Sequence, residues 1–342
     1  MTAPSSTKGP FVSELRPGER IVGYFLVRKK QLEPFRDRSK GEFLSLTLAD
    51  RTGEIIARVW DDAPALAETF AEADVIKVAG DVGEYQGRTQ LVVQKLRRAE
   101  AEEYELGDFQ AATQRDVGAM LAEAQAATDS LGNPHLAALV RYFYDDPGFT
   151  RRLARAPAAR RVHHAYVGGL LEQITEMLSV AEAVVGLYPD INADLLRAGS
   201  LLHAVGKTAE FAVAMDIDQT DEGRLLGHIV LGDEHIAAAI AQIAGFPEEL
   251  SLRVRHMLVS QHGRLEWGSP RQPQTLEALA LHHIENLTAQ VNRFRGLLER
   301  PREAGQSWTE YNRMLGRQLY VGLDTAEASA SGDGDDDGVP LD

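Results

Sequence analysis

The chain has 342 residues, 44% hydrophobic and 25% charged, proportions of a globular protein long enough for two domains that each bury a core. No run reaches the roughly 18 apolar residues of a membrane-spanning helix, and residues 1–10 lack the apolar centre of a secretory leader, so a cytoplasmic location without a membrane partner is expected. Cysteine is absent, which excludes disulfides and thiolate metal sites and leaves His and carboxylates as metal-binding side chains.

The net charge of −15 argues at first against a nucleic-acid partner, because phosphate binding needs Lys and Arg to displace counterions. The charge is unevenly placed. No Lys or Arg follows Arg317, and Asp324, Glu327, Asp333, Asp335, Asp336, Asp337 and Asp342 crowd the end; setting these seven acids aside, −15 becomes −8. Residues 28–40, by contrast, concentrate Arg28, Lys29, Lys30, Arg36, Arg38 and Lys40 against Glu33 and Asp37.

Residues 1–15 are expected to be a flexible N-terminus, and 16–100 read as strands with turn punctuation. Residues 21–27 are β-rich, Phe43, Leu44, Leu46 and Leu48 form a second run ended by Asp50-Arg51-Thr52-Gly53, and 55–60 form a third. Ala65, Leu66, Thr69 and Phe70 at 3–4 spacing predict a helical interval. Strands at 75–82 and 89–96 follow, around a turn at 83–87. Three strands, a helix and two strands is the order of an OB-fold β-barrel; an antiparallel sheet with one helix is the plainer alternative.

An acidic stretch, 100–107, opens a helical connector over 101–135, and the apolar period then changes from 2 to 3.6. Helices are expected at 109–130, 136–144, 162–187, 193–205, 225–243, 247–260, 274–298 and 308–319. The expected class is α+β: an N-terminal OB-fold barrel followed by an all-α domain over 136–323, with a disordered acidic tail over 324–342.

Within the barrel, basic residues interleave with aromatics: Tyr24, Arg28, Lys29, Lys30, Phe35, Arg36, Arg38, Phe43, Arg58, Trp60, Tyr85 and Arg88. Such a surface binds single-stranded RNA or DNA through backbone attraction and base stacking. Half of these aromatics are expected in the core; Phe35, in the basic loop between the first two strands, is the better stacking candidate. In the helical part, His203 ends an apolar helix close to Gly206, and His228 follows Gly227 at a helix start. His256 and His262 flank an apolar turn, and His282, His283 and Glu285 share one amphipathic helix. Each His alone reads more readily as a structural residue than as a ligand, and His135, His235 and His282 read as structural. His163 and His164 are expected to open a helix, where they read equally as lining the cleft or as ordinary exposed residues.

Several ordered motifs resemble one family. They are His163-His164-Ala165-Tyr166-Val167-Gly168-Gly169-Leu170-Leu171-Glu172, Asp194-Leu195-Leu196-Arg197-Ala198-Gly199, Leu202-His203-Ala204-Val205-Gly206-Lys207 and Leu226-Gly227-His228-Ile229. His262-Gly263, Glu266-Trp267-Gly268-Ser269-Pro270, Asn286-Leu287 and, in the barrel, Gly80-Asp81-Val82-Gly83-Glu84-Tyr85-Gln86-Gly87-Arg88 complete the series. The chain resembles the YhaM-type 3′-to-5′ exoribonucleases over roughly residues 16–320. That resemblance implies an OB-fold that binds single strands and an HD-type domain that hydrolyses phosphodiesters with divalent metal, typically Mn²⁺. Such ions lower the pKa of bound water and stabilise charge on the phosphate.

The resemblance also marks departures. Gln173 stands where the first His ligand is expected, Ala204 replaces the Asp of the His-Asp pair, Gln261 stands for the first His of a Ser-His-His-Gly segment, and Glu285 stands for a late Asp. A remaining cluster of His203, His228, His256, His262 and Glu285 would hold at most one ion weakly, with Mn²⁺ or a similar metal as cofactor or none bound. Lys207, four residues after His203, is a candidate to meet the phosphate, and reads equally as a cation compensating the helix C-terminal dipole. The functional expectation is a single-stranded nucleic-acid-binding protein with weak or lost hydrolysis. Alternatives are an active Mn²⁺-dependent 3′-to-5′ exonuclease on RNA or single-stranded DNA and an HD nucleotide phosphohydrolase; a homo-oligomer is left open.

Overall fold

The computed structural model describes residues 8–35, 37, 39, 41–85, 87–214, 217–299 and 306–322. Arg36, Arg38, Lys40, the tail over 324–342 and the side chain of Arg88 lie outside the described residues.

Strands β1 (Arg20–Pro34), β2 (Glu42–Asp50) and β3 (Gly53–Val59) form an antiparallel meander, helix α1 (Ala63–Ala67) follows, and β4 (Val75–Tyr85) and β5 (Arg88–Arg98) form a hairpin. β1 pairs with both β2 and β4, while β3 pairs in parallel with β5, so the sheet closes in the order β1-β2-β3-β5-β4 and leaves no edge. Alternation sets what faces inward: Leu44, Leu46 and Leu48 of β2 and Ile55, Ala57 and Val59 of β3 meet Phe25, Val27, Ile76, Val78 and Leu91 in one core. This is the OB-type barrel anticipated from the strand order.

Two features of the barrel differ from expectation. β1 continues to Pro34, past the apolar stretch at 21–27: Arg20–Leu26 pairs with β4, and a register shift between Val27 and Lys29 coils the rest onto β2. Part of the basic stretch is therefore strand. The N-terminus is also barrel structure from Lys8 onward, since Lys8 is buried in a 2.8 Å ion pair with Asp50 and Leu15 enters the core.

The helical domain comprises α2 (Val117–Asp129), α3 (Pro134–Tyr144), α4 (Pro147–Leu153), α5 (Gly169–Leu187), α6 (Ala193–Leu202), α7 (Lys207–Glu210), α8 (Asp221–Leu225), α9 (Gly227–Gln242), α10 (Glu248–Ser260) and α11 (Leu276–Leu298). Asp116, Asn133, Asp146, Asn192 and Thr275 accept backbone N–H bonds that start α2, α3, α4, α6 and α11. Met120 and Ala124 of the expected connector share one core with Leu170 and Ile174 of α5, Leu195 and Leu196 of α6, Leu258 of α10 and Leu281 of α11. A smaller cluster of Tyr24, Leu26, Val75, Ala99 and Phe109 seals the barrel against the start of the connector. None of the described helices is long and apolar enough to cross a membrane.

Three helical expectations are corrected. The domain is not wholly α, because β6 (Phe211–Val213) and β7 (Ile217–Gln219) form a hairpin. Residues 308–319 are not a helix: Trp308 pairs with Tyr320 and Asn312 with Arg317 around Gly316, whose φ of +65° breaks the helical path. The helix expected at 162–187 begins only at Gly169. Val167 bonds instead to Ala111 and Thr113, and His164 (φ +44°) and Gly168 (φ +80°) turn the chain back so tightly that a Cβ at Gly169 would lie 2.1 Å from the His164 carbonyl oxygen.

Candidate functional site

The end of α6 delivers His203 into the interior. Its Nδ1 lies 2.9 Å from the Ser200 carbonyl and so carries the donated proton, which leaves a lone pair on Nε2; that atom is buried and has no hydrogen-bond partner. Gly206 then lets α7 and α9 approach, since a Cβ there would lie 2.1 Å from the His228 carbonyl oxygen. His228 places Nδ1 3.3 Å from Glu210 Oε2 and also leaves Nε2 buried and unpartnered.

His262 closes the group from the end of α10. Its ring centroid is 5.2 Å from that of His228, its Nδ1 bonds to the Trp267 carbonyl at 3.1 Å, and its Nε2 lies 4.0 Å from Glu285 Oε1 on α11. Gly263 permits this turn: at φ +72°, a Cβ would overlap the His282 ring at 2.3 Å, and His282 Nδ1 in turn donates to the Gln261 carbonyl at 2.8 Å. Lys207 is buried and donates through Nζ to the Ala158 carbonyl. A cleft of about 550 Å³ opens over these groups, lined by His163, Lys207, His262, Trp267 and Glu285.

Burial dominates the titration of the cluster. It pushes His203 down to about 4 despite the opposing charge of Glu285, and it pushes His163 down to about 2, helped by Lys207. Burial also lowers His228 and Lys207, against the pull of Glu210 on both. For Glu285, burial favours the neutral acid, but His203, His262, Lys207 and His228 together outweigh it and hold the carboxyl below its usual range. Burial thus favours the neutral forms of His163, His203 and His228.

Not every expected residue joins this group. His256 is half-buried elsewhere on α10, and its Nε2 accepts the Gln274 N–H at 2.9 Å, so it fastens the segment before α11 rather than facing the cleft. His163, which as a helix-opening residue reads equally as cleft-lining or ordinary, lies in the loop before α5 and lines the cleft; His282, expected to be structural, lines it too.

On the barrel, Phe35, Phe43 and Trp60 form an aromatic cluster with centroid separations of 5.3, 5.8 and 4.9 Å, and Trp60 is 40% exposed. Arg58 lies over the Phe43 ring and 3.4 Å from Glu33, Lys29 is exposed, and Tyr85 stands out from the end of β4. Lys30 does not serve this surface: its Nζ donates to the Ala67 carbonyl at 2.8 Å and the Phe70 carbonyl at 2.5 Å, closing the end of α1. Tyr24 is core, its hydroxyl donating to Glu103.

Arg28 lines a second cleft, of about 480 Å³, between the barrel and the helical domain, together with Gln110, Arg160, Arg161 and Asp218. One loop borders both clefts: Ala159, Val162 and His163 face the histidine cleft, while Arg160, Arg161 and Ala165 face the barrel cleft.

Residues 21–99 match a family described as an OB-fold nucleic acid binding domain. A protein of Shouchella clausii named 3′-5′ exoribonuclease YhaM is 36% identical over 286 residues, covering 83% of this chain and 88% of that one. The chain belongs to the YhaM 3′-5′ exoribonuclease family. The YhaM protein of Bacillus subtilis is 34% identical over 294 residues, 86% of this chain and 91% of its own length; that of a Geobacillus species is 34% identical over 284 residues, 83% and 86%.

Within this YhaM-family chain, the three neutral positions expected among the metal ligands are all buried. Gln173 donates weakly to Thr288 at 3.4 Å and leaves Oε1 without a partner, both amide atoms of Gln261 are unpartnered, and Ala204 packs into the helical core. These residues do not fit a pair of metal ions. Ala204 offers no donor, and His203, His228, His262 and Glu285 do not bring three ligand atoms within 4.8 Å of one another; among the described residues, His164, Glu172 and Glu176 do. His164 and Glu172 stand in the first family motif without being expected as ligands, and Glu176 lies outside it. The one-turn spacing of Glu172 and Glu176 was a signal available in the sequence.

Proposed function

We propose that this chain binds single-stranded RNA or DNA along the barrel and across the 159–165 loop, with 3′-5′ hydrolysis in the histidine cleft weak or lost. The observation that carries the binding half is that loop, which borders both the barrel cleft with Arg28 and the cleft with Lys207. Bases would stack on Phe35 and Trp60, while Lys29, Arg58, Arg28 and Arg161 meet the backbone. The hydrolytic half is supported by Ala204 in the core and by the spread of the remaining donors. Lys207 and His203 are the groups closest in kind to a phosphate-handling pair.

The reading of an active Mn²⁺-dependent exonuclease is favoured by one feature, the two buried and unpartnered Nε2 atoms of His203 and His228 beside a carboxylate. A 5′-labelled oligoribonucleotide and its DNA equivalent, followed by anisotropy and by gel in Mn²⁺, separate the two readings. Salt-sensitive binding without shortening is expected. Trimming from the 3′ end that disappears in His203→Ala overturns the proposal in favour of the active enzyme.

A further inference from the structure

Glu172 and Glu176 lie one turn apart on α5, which sets both carboxylates on the same face. The fold-back of the preceding loop lays the His164 ring against that face. His164 Nε2 is 3.2 Å from Glu176 Oε2, and one ligand atom from each of the three residues lies within 4.8 Å of the other two.

The group is incomplete as a hydrogen-bond network. His164 is fully buried and its Nδ1 has no partner, and Oε2 of Glu172 is buried without one as well. A buried carboxylate oxygen left unsatisfied is destabilising, and a cation held between Glu172 Oε2, Glu176 Oε2 and His164 Nε2 would satisfy it. The backbone is also held in place for it. His164 keeps its left-handed φ of +44° while its N–H donates to Asn292 Oδ1 at 2.7 Å, and Asn292 Nδ2 donates to the Tyr166 hydroxyl at 2.9 Å, so α11 clamps the turn. Arg295 lies 3.8 Å from Glu176 and offsets one carboxylate of the two.

We propose that His164, Glu172 and Glu176 bind a divalent transition-metal ion, Zn²⁺ or Mn²⁺, at a site separate from the His203–Glu285 cleft. One imidazole nitrogen with two carboxylate oxygens is a donor set suited to these ions. Bonds of about 2.0–2.2 Å around one ion put neighbouring ligand atoms roughly 3 Å apart, which the His164–Glu176 contact already matches. Side-chain rotation of the half-exposed Glu172 completes the set. The ion would tie α5 to the end of the loop that borders both clefts. Its binding is independent of whether the cleft hydrolyses nucleic acid.

Calorimetric titration of the metal-free, full-length protein with ZnCl₂ and MnCl₂ tests this. One saturable ion per chain is expected, Zn²⁺ tighter than Mn²⁺, with a higher melting temperature in Zn²⁺. Glu172→Gln with Glu176→Gln should weaken binding at least tenfold and remove the melting shift, with circular dichroism confirming the fold; Glu172→Gln alone, on a half-exposed side chain, should also weaken it at least tenfold. His203→Ala with Glu285→Gln should leave that ion bound. Absence of saturable binding, unchanged binding in the glutamine variants, or loss in the His203/Glu285 variant overturns the site.

Discussion

Glu210 and His228 form a carboxylate–imidazole pair in which Oε2 sits 3.3 Å from Nδ1 while Nε2 is left bare in the interior. The carboxylate fixes which nitrogen carries the proton and raises the basicity of the ring against burial. Replacing Glu210 with Gln should therefore lower the His228 pKa further, readable by NMR titration of the imidazole. It should also cost about 1.5–3 kcal/mol of stability, the worth of a hydrogen bond to a charged group. An unchanged or raised pKa would contradict the pairing.

Burial holds His203 at about 4, below the value near 6.5 of an exposed imidazole. The unfolded chain then binds more protons than the folded one between these values. This contribution to stability is complete above about pH 6.5 and is lost as pH falls through 4. For His203 alone the loss from pH 7 to pH 5 is on the order of 2 kcal/mol. Urea unfolding at the two pH values, for the wild type and His203→Gln, should show the slope and its reduction.

Trp60→Ala should weaken single-strand binding by about 1–3 kcal/mol, the worth of one stacked base. Lys29→Ala should lower the slope of log K against log salt by about one unit. Lys30→Met should leave that slope unchanged, because its ammonium is spent on the carbonyls that end α1. Anisotropy over a salt series distinguishes the three variants.

Asp50 accepts from Val12 and Thr52 as well as pairing with Lys8. Asp50→Ala removes the carboxylate paired with a buried ammonium and should cost roughly 3–5 kcal/mol. Lys8→Met should cost less, since Asp50 keeps its other donors. Thermal unfolding of both variants checks the order.

The barrel was legible in the chain because strand alternation and turn residues are local signals: the leucines of 43–48 face one way whatever surrounds them. The helix at 162–187 and that at 308–319 misled for the converse reason. Apolar spacing over 162–168 fits a helix, yet its backbone bonds are taken by Ala111 and Thr113, more than forty residues away, and two left-handed residues reverse the chain. His256 and Lys30 had the right chemistry and the wrong direction, which a sequence pattern does not encode.

Residue types and their periodicity alone determined strands followed by helices, in an order open to either a barrel or a plain antiparallel sheet, and a histidine-rich segment around Leu202-His203-Ala204-Val205-Gly206-Lys207. Tertiary structure decided which side chains meet. The placing of His228 beside His262 and of His262 beside Glu285 depends on close approaches at Gly206 and Gly263, and the grouping of His164 with Glu172 and Glu176 depends on a chain reversal that has no periodic signature. Contacts between residues distant in sequence are set by packing geometry, and packing is a property of the whole fold.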